Sequence, residues 1–273
     1  MQAFSRWTDP TGTLGAITAE AYERAKKLDV RSAELEREAG MSAMAPSLEA
    51  ALRGTTVTLL AEVKRMSPSK GAIAAGLDAV AQARAYKEGG AAGVSILTEP
   101  RHFGGSTEDL RDVRAGVTIA ILKKDFHVAP VQLLEARALG ASAALLIARA
   151  LAPDRLDEMM RAGRALGLEL LVEVRDEGEL ERALGAGATM IGVNNRNLET
   201  LVIDGATAER IVPHIPAGVV AIAESGVRTR EDVVRYASAG ADAVLVGSSL
   251  SAAPDPVAAT RSLAAVARDR RVR

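Results

Sequence analysis

One pattern recurs along this chain: a short run of Val, Ile, Leu and Ala, a polar turn, then an amphipathic segment that often closes on glycine. The apolar runs are TLLAEVK (58–64), GVSILTE (93–99), TIAILKK (118–124), AALLIA (143–148), ELLVEV (169–174), MIGVNN (190–195), VVAIAES (219–225) and AVLVGSS (243–249). Between them lie stretches of helical period such as DAVAQARAYKEGG, PVQLLEARALG, DRLDEMMRAGRALG, DEGELERALGAG and REDVVRYASAG. Gly140-Ala141, Gly187-Ala188 and Gly240-Ala241 fit helix ends turning into the next strand. Near-continuous apolar strands alternating with helices require a parallel sheet covered on its outer face. Eight such units in 273 residues predict a single closed (β/α)8 barrel, a fold that typically takes about 250 residues. An open doubly wound sheet would show fewer strands and a nucleotide-binding glycine loop after the first, and MSPSKG (66–71) has neither known spacing.

Residues 1–55 carry helical material of their own, AITAEAYERAKKL, RSAELEREAG and SLEAALRG, with few bulky apolar residues for an independent core. An N-terminal helical extension packed on a catalytic barrel of residues 56–273 is expected. The formal charge of -1 provides no general pull toward nucleic acid or anionic membrane, so any anion must be held locally. With Cys 0, thiol nucleophiles and cysteine metal sites are excluded, and three scattered histidines predict no metal cluster. The opening MQAFSRWTDPTG lacks the apolar core of an export signal, and no run approaches a membrane span; a cytoplasmic protein without membrane or nucleic-acid partners is expected. The basic tail ARDRRVR reads as a charged helix end.

Side-chain alternation turns the strand ends into a map of one cup. In a strand, residues two apart share a face, so Leu60, Glu62 and Lys64 point together while Ala61 and Val63 point away. The same register puts Lys124, Glu173, Asn194 and Glu224 inward at the C-terminal ends of their strands, with Ser225 and Arg196 just beyond. Lys123 faces outward. Barrel enzymes keep their chemistry at that end, and so many inward charges are costly to desolvate unless paired or used. Singly, each has an ordinary alternative, since an ion pair or an Asn turn at a strand end is common. Five strands repeating the placement outweigh it. The loops after strands seven and eight, AESGV and LVGSSL, offer Gly226, Gly247 and Ser248 where barrels often bind phosphate through backbone N–H groups.

The segments AEVKRMSPSKG, SILTEPRHFGGS, ILKKDF, LLVEV, IGVNNRNLETL, AESGV and LVGSSL, in that order, resemble the indole-3-glycerol phosphate synthase family of tryptophan biosynthesis, from about residue 58 to the end of strand eight. The resemblance implies a phosphosugar substrate, 1-(2-carboxyphenylamino)-1-deoxyribulose 5-phosphate, that undergoes ring closure, decarboxylation and dehydration. It implies no metal or organic cofactor, and it admits association with other enzymes of the pathway. Carried onto this sequence, Lys124 is the general acid for ring closure, Glu173 the proton carrier of dehydration and Lys64 a second cation for the substrate carboxylate or later proton transfers. Glu62 orients the lysines; Asn194, Glu224 and Ser225 hold substrate hydroxyls. Ser67, Arg196, Gly226, Gly247 and Ser248 are the phosphate or carboxylate contacts, and Phe103 and Phe126 flank the substrate ring.

This chain departs from the family pattern in three places. AIAAGLDAV after SPSKG is nearly uncharged, which predicts a looser first βα loop. Ala129 replaces an acid and His127 an aliphatic, which predicts altered packing with unchanged chemistry. The extension resembles the family's N-terminal helix poorly. Two other functions remain open at this point: a different phosphosugar barrel enzyme, such as phosphoribosylanthranilate isomerase, whose expected Cys is missing here, and a noncatalytic barrel that binds a phosphate ligand without converting it.

Overall fold

The computed structural model describes residues 7–268. Eight parallel strands, β1 (Thr56–Val63), β2 (Gly93–Leu97), β3 (Ala120–Lys124), β4 (Ala143–Ile147), β5 (Glu169–Val174), β6 (Met190–Asn194), β7 (Val220–Glu224) and β8 (Ala243–Val246), pair in chain order. The ring closes where β8 returns to β1, with Thr58 opposite Ala243 and Ala61 opposite Val246. It is the (β/α)8 barrel that the eight apolar runs predict.

Helices follow each strand: α4 (Ala79–Glu88), α5 (Pro100–Phe103) and α6 (Thr107–Gly116), α7 (Pro130–Ala138), α8 (Pro153–Ala165), α9 (Glu177–Gly185), α10 (Ala206–Ile211), α11 (Arg230–Ser238), and α12 (Ser248–Ser251) with α13 (Pro256–Leu263). Their starts are written in side-chain chemistry. Asp78, Ser106, Asp176, Thr229 and Asp255 each accept a backbone N–H of the first turn, and Pro opens α5, α7, α8 and α13, where no N–H is needed. At α7 the cap position is Ala129, which has no acceptor; the Gln132 amide oxygen takes the Val128 and Ala129 N–H groups at 2.7 and 3.1 Å instead. The predicted glycine exits hold: Gly140, Gly187 and Gly240 have φ of +78°, +80° and +91°, a conformation that a Cβ disfavours.

Three helices precede the barrel: α1 (Gly12–Asp29), α2 (Ser32–Met41) and α3 (Leu48–Leu52). Leu14, Ile17, Ala21, Leu48 and Leu52 are buried in the same continuous cluster as the barrel side chains. Burial of Leu14, Ile17, Leu48 and Leu52 is worth roughly 1.5–3 kcal/mol each, which fastens α1 and α3 to the barrel, while Leu35 of α2 clusters with Ala25 of α1 and Val131 of α7. At α3 the Glu169 carboxylate, from the start of β5, accepts the Leu48 and Glu49 N–H groups at 2.8 and 2.9 Å. The N-terminus of α1 is latched to the loop after β6. Thr13 N–H donates to Glu199 O at 3.2 Å, Thr11 N–H to Glu199 Oε1 at 2.7 Å, and Arg149 Nη2 to the same Oε1 at 2.8 Å. Gly12 is required there: its φ is +56°, and a Cβ would sit 2.4 Å from Glu199 O.

Three expectations need correction. The first βα loop is not slack: Met66–Ser67 pairs antiparallel with Gly71–Ala72, and the Arg65 guanidinium spans Leu77 O at 3.0 Å and Asp109 at 2.9 Å. Backbone pairing and one arginine supply the order that charges in AIAAGLDAV do not. The start of the basic tail is strand, not helix: Val266–Ala267 pairs antiparallel with Thr56–Val57, and Arg268 contacts Asp242. Residues 269–273 of that tail lie outside the described residues. Strand eight stops at Val246, because Gly247 caps the short α12.

Candidate active site

The C-terminal mouth of the barrel encloses a cavity of about 780 Å³, and all fourteen residues singled out from the sequence line it. At its floor Lys124, the last residue of β3, reaches across the barrel. Its Nζ lies 3.1 Å from Glu173 Oε2 on β5 and 3.2 Å from Glu224 Oε2 on β7. Asn194 Nδ2 donates to the other Glu173 oxygen at 2.8 Å, which fixes that carboxylate from the β6 side. Burial opposes the charge on Lys124, yet the carboxylates of Glu224, Glu173 and Glu62 outweigh it and hold the ammonium above the usual lysine range. Burial pushes Glu224 up to about 7, with Lys124 opposing and Glu173 and Glu62 adding to the rise. One cation shared by two enclosed carboxylates thus keeps a proton within the group near neutral pH.

A second charged pair sits beside the first. Glu62 is fully buried and its carboxylate meets the Lys64 ammonium directly. The end of β1 is pinned by hydroxyls: Tyr86 and Ser251 donate to Glu62 O at 3.2 and 3.0 Å. Space for the two glutamates comes from glycines opposite. A Cβ on Gly247 would fall 2.3 Å from Glu62 Oε1, and one on Gly192 would fall 2.0 Å from Glu224 Oε1. Gly247 therefore has a steric duty besides the anion contact expected of it. Gly192 was not foreseen at all; a glycine inside an apolar strand signals only close approach of something, without naming it.

The rim is built from loops. Ser225 takes a φ of +64° and Gly226 one of +86°, and the Ser225 carbonyl is held by Asn195 Nδ2 at 3.0 Å. A non-glycine residue in the left-handed region costs about 1–2 kcal/mol, so the turn after β7 is strained where it faces the cavity. Asn195 is a fully buried tie here, also donating to Tyr236 Oη at 2.9 Å and accepting from Ala208 N–H at 2.9 Å, where the sequence allowed a plain turn residue. Arg196 donates to Leu201 O at 2.8 Å, and burial lowers its pKa. Phe103 and Phe126 face each other with ring centroids 6.1 Å apart and planes inclined at 37°. Lys70, within the quoted MSPSKG, also lines the cavity and was given no role by the sequence.

Outside the strands a separate polar network backs the floor. Lys123 points away from the cavity, as expected, and is buried at 1% exposure. Its Nζ meets Glu135 Oε2 at 2.9 Å and His127 Nε2 at 3.3 Å. His127 Nδ1 donates to Leu145 O at 2.7 Å. Burial and the Lys123 charge push the imidazole down to about 3, so it is neutral and Nε2 is free to accept from Lys123. The substitution at His127 thus finds a complete set of partners. Contrary to the composition-based expectation, donor atoms of Glu20, Glu99 and His102 do gather within 4.8 Å of one another. All three side chains already have protein partners. Glu99 accepts three backbone N–H groups, and Glu20 pairs with Arg101 and His102.

The sequence model of indole-3-glycerol phosphate synthase matches residues 14–263. This chain belongs to that family. The indole-3-glycerol phosphate synthase of Streptomyces griseus is 50% identical over 252 residues, covering 92% of this chain and 93% of that protein. Indole-3-glycerol phosphate synthase 1 of Streptomyces coelicolor is 49% identical over the same length, with the same coverage. The fold is shared more widely. The crystal structure of 3-hexulose-6-phosphate synthase from Salmonella typhimurium superposes with a TM-score of 0.60 at 14% identity, covering 76% of this chain and 96% of that one, a likeness of architecture alone. Within the indole-3-glycerol phosphate synthase framework, the Lys124-centred triad, the paired phenylalanines and the β7 and β8 loops line one cavity.

Proposed function

We propose that this protein is an indole-3-glycerol phosphate synthase, a carbon-carbon lyase that converts 1-(2-carboxyphenylamino)-1-deoxyribulose 5-phosphate to indole-3-glycerol phosphate with loss of carbon dioxide and water. The observation that carries it is Lys124 Nζ between Glu173 and Glu224, at 3.1 and 3.2 Å, on the floor of a cavity about 780 Å³ in volume.

The chemistry asks for those groups. Ring closure moves an aryl carbon onto the ribulose keto carbon, and because carbon dioxide then leaves to restore the ring, that carbon is the one bearing the carboxylate. The keto oxygen becomes an alkoxide and needs a proton. Lys124, kept charged by its carboxylates, is the donor, and Lys64, paired with Glu62, is the second cation, for the substrate carboxylate or the later proton transfers. Glu62 holds Lys64 in place. After decarboxylation the hydroxyl leaves as water while a ring-side proton is removed; Glu173, steadied by Asn194, carries that proton. Glu224 and Ser225 hold substrate hydroxyls, and Ser67, Arg196, Gly226, Gly247 and Ser248 the phosphate or carboxylate. Phe103 and Phe126 bound the aromatic ring.

The steps need no metal or organic cofactor, and the phosphosugar is a freely diffusing substrate. A cytoplasmic setting and association with other tryptophan-pathway enzymes accompany this reading; no helix among the described residues is long and apolar enough to cross a membrane. In this reading the N-terminal helices act with the barrel as one unit: α1 and α3 share its core, and α2 packs through Leu35 beside Val131 of α7. The test is direct: purified protein mixed with the carboxyphenylamino substrate should develop indole fluorescence with multiple turnovers. Saturable binding without any fluorescent product would defeat the proposal.

A further inference from the structure

Outside the cavity, one side chain of α1 links the two loops that carry the phenylalanines. Arg24 Nη2 lies 2.8 Å from Asp125 Oδ1, and its Nη1 lies 3.6 Å from Glu99 Oε1. Both acids are buried; Glu99 grips its own loop, while Asp125 grips its own and also reaches Thr98 of the other. Glu99 accepts the N–H groups of Arg101, His102 and Phe103 at 3.1, 2.6 and 3.0 Å. Asp125 accepts Phe126 N–H at 2.8 Å and the Thr98 hydroxyl at 2.7 Å. A single guanidinium thus sets the separation of two carboxylates, each bonded to the backbone of one phenylalanine on the cavity wall. One turn earlier on α1, Glu20 adds a second fastening to the same loop, at 2.6 Å from Arg101 and 3.0 Å from His102.

Neutralising buried acids is the simpler role, and it does not account for the arrangement. Asp125 already has Lys123 Nζ at 3.9 Å, and Glu99 is satisfied by backbone N–H groups that would hold it without Arg24. What only a planar, forked cation provides is simultaneous reach to both. We propose that Arg24 is a positioning residue for the aromatic end of the substrate: it holds the Phe103 and Phe126 loops in the relative position that presents the paired rings as one wall to a flat ring. This inference rests on the synthase reading for the identity of the ligand.

The test separates the two ends of the site. Arg24→Lys keeps the charge and loses the fork; Arg24→Gln loses both. Affinity is measured by calorimetry for indole-3-glycerol phosphate, which has the ring, and for glycerol 3-phosphate, which lacks it, alongside kcat, KM and urea unfolding. The expected result is that both variants weaken the aromatic ligand about tenfold and raise KM to match, with glycerol 3-phosphate affinity held within about twofold. The lysine should not rescue. Should Arg24→Gln fail to fold, Arg24→Lys and Asp125→Asn make the same comparison. Unchanged affinity for the aromatic ligand, full rescue by lysine, or equal loss for both ligands would overturn the positioning role. Wild-type protein that never turns over fails the synthase reading instead. Wild-type turnover with indifferent Arg24 variants fails only this inference.

Discussion

Replacing Gly192 by alanine tests the floor of the site without touching a charged group. The new Cβ would lie 2.0 Å from Glu224 Oε1, whereas ordinary contact begins at 3.4 Å, so the oxygen must retreat by about 1.4 Å. Glu224 is 1% exposed and closed in by strands on both sides, leaving rotation of the carboxylate as its escape. A carboxylate moved that far no longer holds Lys124 Nζ at 3.2 Å. Overpacking of this kind costs roughly 1–3 kcal/mol, and in a chain of this size each kcal/mol lowers Tm by roughly 2–4 °C. The activity should suffer more than the fold, because displacing a reacting group by about 1 Å lowers rate on the order of a hundredfold. Gly192→Ala is therefore expected to melt a few degrees early by calorimetry and to lose about two decades of kcat by fluorescence. Adding Glu224→Asp, one methylene shorter, should recover part of the Tm. Gly185→Ala is the control: nothing lies within 4 Å of its Cβ, so neither quantity should fall. Wild-type Tm and kcat in Gly192→Ala would refute the argument that the glycine exists to seat Glu224.

Other expectations follow from the same geometry. Lys124→Ala should lose about 10²–10⁴ in kcat with far-ultraviolet dichroism preserved, and near-normal turnover would remove Lys124 from the reaction. Glu173→Gln should depress kcat by a similar factor with KM little changed; a rise in KM alone would make Glu173 a binding group. The pH dependence of stability should contain a histidine component. The folded value of His127 is pushed down to about 3 against an ordinary 6.5, so below pH 6.5 the unfolded chain takes up a proton that the fold refuses. Stability then falls as pH drops through that window, by up to about 1.4 kcal/mol per pH unit, with Lys123, Asp125, Glu135 and Arg24 as the charged neighbours. His127→Gln should flatten the slope measured by urea unfolding between pH 4.5 and 7, and an unchanged slope would count against a buried neutral imidazole.

Which features the sequence revealed follows from how locally each is encoded. Period-2 alternation alone puts Glu62, Lys124, Glu173, Asn194 and Glu224 on inward faces, and eight repeats of strand and helix then bring them together. Features depending on two distant partners are silent. Gly192 looks like a weak strand residue until Glu224, on the neighbouring strand, is known to need its space. Asp125 follows Lys124 directly, yet its partner Arg24 lies 101 positions earlier, in a helix whose own pattern records only an amphipathic face. Lys123 reads as surface because a lysine beside a lysine usually is; α7 and its Glu135 cover it. Val266–Ala267 is too short to have a period, and becomes strand only by lying against Thr56–Val57. Gly140, Gly187 and Gly240 were legible because a left-handed helix exit is chemistry that one residue carries by itself.

The latch between Thr11 and Glu199 joins positions 188 residues apart, and this orders events during synthesis. A ribosome adding 5–20 residues per second reaches Glu199 roughly 9–34 s after it has made α1. Through that interval the helix has no seat for its N-terminus and lacks the tertiary packing from which most helical stability comes. Leu14 and Ile17 stay open to chaperones, or to a neighbouring nascent chain, until the loop after β6 emerges. Although α1 is made before the whole barrel, it is thus among the last elements to find its place.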